Sequence, residues 1–149
     1  MSRLGFLSPE ECATEVVLDR SAVGKLEIRG DVDSLGSVEG EELLPLGPGR
    51  ALLVTEGPTA AARERLAASG YRVYDMTAAL VTLELDGEDL LRRLTELDLK
   101  RLPAIGSIAR GTPALIERRE GERFRLHVPR ELSQYVAEVI ADMERGLDR

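Results

Sequence analysis

The sequence predicts an α+β fold in which one strand–helix pattern is used twice. Two observations carry that expectation. First, GKLEIRGD (24–31) resembles LVTLELDGED (80–89), so that Leu26, Ile28, Gly30 and Asp31 fall on Leu83, Leu85, Gly87 and Glu88, 57 residues on. Second, each of these segments follows a D-x-S/T step, Asp19-Arg20-Ser21 and Asp75-Met76-Thr77, and a second strand plus helix recurs as GRALLV and GERFRLHV. Repetition of this kind marks a duplicated supersecondary unit whose apolar faces must be buried against helices and each other. The expected organisation is a single domain over 1–149, with an N-terminal arm (1–15) and pseudo-repeat halves at about 16–70 and 71–146.

Taken in order, the first regular segment is 24–31, where Leu26 and Ile28 alternate with Glu27 and Arg29 at the period of a half-buried strand. Residues 31–49 are acidic and glycine-rich and predict at most a weak helical turn at 31–38. RALLVTE (50–56) reads as a strand. A helix follows from Pro58 to Ser69, with alanines at 60, 61, 62, 67 and 68 for close packing and Gly70 at its end. Residues 71–77 are expected to be extended and 78–87 to form a strand. Leu90, Leu91, Leu94 and Leu97 make a helical stripe. Pro103 and Gly106 mark a loop; SIAR, PALIERR and RFRLHV read as strands, with a hairpin turn at 119–122. The last helix spans about 129–146, with Leu132, Tyr135, Val136, Val139, Ile140 and Met143 three and four apart.

Composition narrows the function. The net charge is −7 and aromatic residues make up 3% of the chain, which argues against nucleic acid as the main partner, because phosphate binding needs positive surface and base stacking needs rings. No apolar run approaches the ~20 residues of a membrane span. With no signal-peptide pattern at the N-terminus, the chain is expected in the cytoplasm. One cysteine, Cys12, and one histidine, His127, leave no disulfide and no thiolate zinc cluster within the chain. No metal or cofactor loop is present: GPGR at 47–50 reads as a turn, and no serine sits in a nucleophile elbow.

Charge is distributed unevenly. Residues 99–130 hold eight basic groups and three acids, a local +5. In RFRLHV the alternation places Phe124, Leu126 and Val128 on one face and Arg123, Arg125 and His127 on the other. These last three are therefore expected to project outward. With Arg118 and Arg119 they form a candidate partner interface: Arg118, Arg119, Arg123, Arg125 and His127, a dock for an acidic partner. Internal pairing with the acidic 31–42 segment is the rival explanation.

The second half carries a family resemblance. DMTAALVTLELDGEDLLRRLTELDL (75–99) and LPAIGSIARGTPALIERREGERFRLHVPRELSQYVAEVI (102–140) resemble the gamma subunit of heterotetrameric sarcosine oxidase, a family itself similar to the folate-binding domain of glycine-cleavage aminomethyltransferase. The shared pattern closes on an LxVPRxxxxY step, here Leu126, Val128, Pro129, Arg130 and Tyr135, and the first half agrees through DRSAVGKLEIRGD and LGPGRALLV. The resemblance implies two ferredoxin-like halves, mainly antiparallel sheets with helices packed on one side. It implies a subunit, not catalytic alone, of a sarcosine oxidase-type oxidoreductase that serves one-carbon metabolism by oxidative demethylation. FAD, FMN, NAD and tetrahydrofolate would belong to larger flavoprotein partner subunits and none to this chain; in isolation the chain would be open to homodimer formation. The aminomethyltransferases place a catalytic Asp near the segment matching 107–119, and this chain has no Asp between Asp98 and Asp142. The alternative is a stand-alone folate-binding or aminomethyltransferase-like protein.

Overall fold

The computed structural model describes residues 17–19 and 23–147. The N-terminal arm and Cys12 lie outside the described residues. The described residues divide into two compact units, one formed by residues 23–80 and the other by 17–19 together with 81–147.

The first unit is a four-stranded antiparallel sheet in the order β3-β4-β2-β5. Its strands are β2 (Gly24–Arg29), β3 (Glu41–Gly47), β4 (Arg50–Thr55) and β5 (Arg72–Asp75), and helix α1 (Ala60–Ala68) lies between β4 and β5. Leu26, Ile28, Ala51 and Leu53 bury one sheet face against Ala62 and Leu66 of α1. The alanine-rich surface of α1 is what permits that approach. Counted within the unit, the strands run fourth, first, third, second, the order of a β-α-β-β-α-β ferredoxin-like unit. Its first helix is reduced to a single 3-10 turn, Val32–Ser34.

The second unit repeats this plan. Its five-stranded sheet has the order β1-β6-β9-β8-β7. The strands are β1 (Val17–Asp19), β6 (Leu80–Asp86), β7 (Ala104–Ile108), β8 (Thr112–Arg118) and β9 (Arg123–Pro129), and the helices are α2 (Glu88–Leu94) and α3 (Arg130–Leu147). Both helices cover the same sheet face. Leu90, Leu91 and Leu94 of α2 and Val136 and Ile140 of α3 join Leu83, Leu85, Ile116, Phe124, Leu126 and Val128 in one core. With β7 set aside as an added edge strand, and with β1, first in the chain, standing in the place of the fourth strand, the order is again fourth, first, third, second.

The repeat read in the sequence is visible in register. Asp75 of β5 faces Leu26 of β2, as Asp19 of β1 faces Leu83 of β6. The two strand-ending glycines agree too: Gly30 and Gly87 have φ of +142° and +122°, a region costly for a residue with a Cβ. The halves drawn from the sequence, 16–70 and 71–146, are nevertheless offset from the units by one strand. β5 belongs to the first unit and β1 to the second, because each D-x-S/T step ends one unit's fourth strand and leads the chain into the other unit's first.

β3 and β7 depart from expectation, as do β1, a strand the sequence did not announce, and α2, which stops at Leu94 short of Leu97. Residues 41–47 form strand β3 where no strand was foreseen. β3 sits at the sheet edge, where Pro45 removes no interior hydrogen bond, and its register breaks between Pro45 and Gly47. Gly106 is not in a loop but inside β7, where Leu97 packs directly over its Cα; a Cβ there would come within 2.4 Å of the leucine side chain.

Candidate functional site

The chemistry-bearing side chains gather on the face of the five-stranded sheet opposite α2 and α3. β6 supplies Thr82 and Glu84, β8 supplies Glu117, and β9 supplies Arg125 and His127. The alternation that sends Leu83, Leu85, Phe124 and Leu126 to the helices sends these five to the other side. That face is buried as well. Thr82 is 0% exposed, His127 and Glu117 2% each, and Arg125 3%.

This corrects the expectation that Arg125 and His127 project outward. The Arg125 guanidinium donates through Nε to Glu84 Oε2 at 2.9 Å. His127 Nε2 lies 2.7 Å from Glu117 Oε2, and its Nδ1 lies 2.8 Å from the Thr82 hydroxyl. A carboxylate only accepts, so the N–H at Nε2 donates to Glu117, while Nδ1 and the Thr82 hydroxyl share the second hydrogen bond. Arg119, expected on the same dock, donates to the other Glu117 oxygen at 3.1 Å. Burial drives the pairing: a charge or imidazole removed from water must find partners within the fold.

Of the five candidate interface residues, only Arg118 and Arg123 remain exposed. Arg118 is engaged locally. It donates to the Gly121 carbonyl at 3.2 Å and lies 4.7 Å over the Phe124 ring.

A hydroxyl, an imidazole and a carboxylate in series resemble a nucleophile with its base. Here each is enclosed, and none of the three lines either of the two clefts described below. A general base must reach a proton on a substrate; these groups are spent on hydrogen bonds within the fold. The arrangement therefore acts as a polar tie across β6, β9 and β8.

The first unit has a counterpart. Glu27, aligned with Glu84 in the repeat, accepts from Arg29 Nε at 2.7 Å and lies 3.3 Å from Arg50. Burial raises the pKa of Glu27, but the hydrogen bonds and charges of Arg29 and Arg50 outweigh it and hold the carboxyl below its usual range. Asp75 is also held low, chiefly by the Thr77 backbone N–H, which donates to Oδ1 at 3.0 Å. Lys25, aligned with Thr82, is fully buried and carried no warning in the sequence beyond its place in a strand.

Each unit carries a cleft on its surface. One, of about 660 Å³, belongs to the second unit, between the end of α2 and the β7–β8 turn. The other, of about 330 Å³, lies in the first unit where the 3-10 turn replaces a helix, over Leu53 and Leu66. Among the described residues there is no group of three or more histidines, cysteines or carboxylates able to hold a metal, and no helix is long and apolar enough to cross a membrane.

No family model matches the sequence, and no curated protein matches it either. Solved structures do match the fold. A chain of the heterotetrameric sarcosine oxidase from Corynebacterium sp. U-96, in complex with pyrrole 2-carboxylate, aligns with a TM-score of 0.70 and 19% identity, over 85% of this chain and 81% of that one. The chain thus shares the fold of one chain of a heterotetrameric oxidase.

Proposed function

We propose that this protein is a non-catalytic, gamma-type subunit of a heterotetrameric sarcosine oxidase-like complex. The observation that carries the reading is the shared fold over 85% of this chain and 81% of its structural neighbour. Such even coverage means that the two chains are of nearly equal length, so the likeness is to a small chain as a whole and not to one domain of a large one. The buried state of the only histidine supports an assembly role, as does the absence of Asp between Asp98 and Asp142. In this reading the flavin, NAD and tetrahydrofolate chemistry belongs to larger partner subunits, and the kinship of the fold to the aminomethyltransferase folate-binding domain is structural.

Co-expression with the larger flavoprotein subunits of such an oxidase tests the reading. The expected result is a stable complex in which omission of this chain lowers the yield of assembled oxidase. Purification of the chain free of those subunits, with tetrahydrofolate binding of its own, would overturn it in favour of a stand-alone folate protein.

A further inference from the structure

Positive charge that the fold leaves unpaired does not collect on the arginine hairpin. It collects at the larger cleft. The floor of that cleft is Leu94, Thr95 and Ile108, all buried, and its rim carries Arg92, Arg93 and Arg110, all exposed. Glu96 is the one acid on the lining, so the cleft is net positive in a chain of charge −7. Arg92 is held by Glu88 at 2.6 Å. Among the described residues the side chains of Arg93 and Arg110 have neither a hydrogen bond nor an ion pair.

The backbone beneath Arg110 is unusual. Ala109 and Arg110 have φ of +44° and +64°, ahead of Gly111 at +105°. A left-handed conformation is costly for residues with a Cβ, and glycine would adopt Arg110's without penalty. The turn is fixed by Ala109 N–H donating to the Leu94 carbonyl and Gly111 N–H donating to that of Ile108. An arginine is thus kept where the backbone favours glycine, with its side chain on the cleft.

We propose that this cleft seats an acidic segment of a partner polypeptide, with two carboxylates on Arg93 and Arg110 and the aliphatic part of the segment on Leu94 and Ile108. The proposal rests on the subunit reading and names the chemistry of the partner segment. The rim guanidiniums are exposed, so a small free anion would stay hydrated and gain little there. A chain segment gains apolar contact with the floor as well as fork-to-carboxylate pairing, the combination for which arginine is favoured at interfaces.

The test uses the full chain and a fluorescein-labelled heptapeptide alternating glutamate and leucine, with lysine in place of glutamate as the control. The acidic peptide should bind the more tightly, with an affinity that falls as salt rises. Arg93→Gln with Arg110→Gln should weaken it about tenfold, and Arg123→Gln should leave it unchanged. Arg110→Gly separates binding from folding: affinity should drop about threefold while the melting temperature holds or rises, because glycine suits that backbone. Equal binding of the two peptides, or an affinity unmoved by the double substitution, would overturn the proposal. Assembly with flavoprotein subunits alongside either of those results would place the fault in the cleft and spare the subunit reading.

Discussion

Glu117 and His127 offer the sharpest test of the buried polar face. Glu117→Leu removes the only acceptor seen at His127 Nε2, which then has no water to turn to, since the imidazole side chain is 0% exposed. An orphaned buried polar group costs about 1–3 kcal/mol, and breaking a buried charge pair about 3–5. Arg119 can swing toward solvent, so a value near 3 kcal/mol is expected, a drop of about 9 °C in Tm for a chain of this size. His127→Leu should cost about as much, because it takes the imidazole donor 2.7 Å away from a Glu117 carboxylate that stays buried. The double variant should cost clearly less than the two together, with a coupling of at least ~2 kcal/mol, since an apolar pair in that space leaves neither group orphaned. Urea denaturation at neutral pH, with m-values compared, measures all three. Single costs below ~0.5 kcal/mol, the range of surface changes, would refute the burial; costs that simply add would refute the pairing.

Arg125→Glu should unfold the chain or cost more than ~4 kcal/mol, because it sets a second buried carboxylate against Glu84, whereas Arg123→Glu should stay within ~0.5 kcal/mol; circular dichroism melts of the two variants separate these outcomes. Leu91→Ala should cost about 2–5 kcal/mol and Val139→Ala closer to 1, because Leu91 is fully enclosed and Val139 only partly, which chemical denaturation resolves. Glu27 is held below its usual 4.5, so its ionised form stabilises the fold above that value, and the contribution fades as pH falls through the depressed pKa. Glu27→Gln should therefore be less stable than the parent at pH 7 and converge with it in acid, seen as a flatter acid limb in Tm against pH.

Much of the fold was legible because it rests on local periodicity. The stripes of α2 and α3, the alanine surface of α1 and the alternation in β2, β6 and β9 all record which side meets a core. β3 was not legible: EELLPLG has no clean alternation, and an edge strand needs none. The polar face was misread for a different reason. Alternation shows that a strand has two sides but not whether both are enclosed, and the partners lie far away in sequence, Glu84 41 residues from Arg125 and Thr82 45 from His127. A clue was available in the repeat itself. Aligning RALLV with RFRLHV sets Arg125 on Leu52 and His127 on Val54, and apolar residues in one copy imply enclosure of that face in both. The arginine cleft left no sequence signal, since Arg93 and Arg110 come together only through the β7–β8 turn.

The one-strand offset between repeat and unit bears on how the chain can be cut. A fragment ended at residue 70, the natural boundary of the duplication, would strand the first sheet without β5 and carry β1 with nothing to pair to. A fragment of residues 21–80 keeps all four strands of its sheet. The other unit cannot be recovered as one contiguous stretch: its β1 edge emerges from the ribosome more than sixty residues before the strand it pairs with, Val17 waiting for Leu85. Synthesis therefore finishes the middle of the chain first and closes the outer sheet last, a long-range pairing of the kind that slows folding. Two copies of one repeat, each beginning with a strand it could not use itself, would have completed both sheets only by exchanging those strands as a dimer.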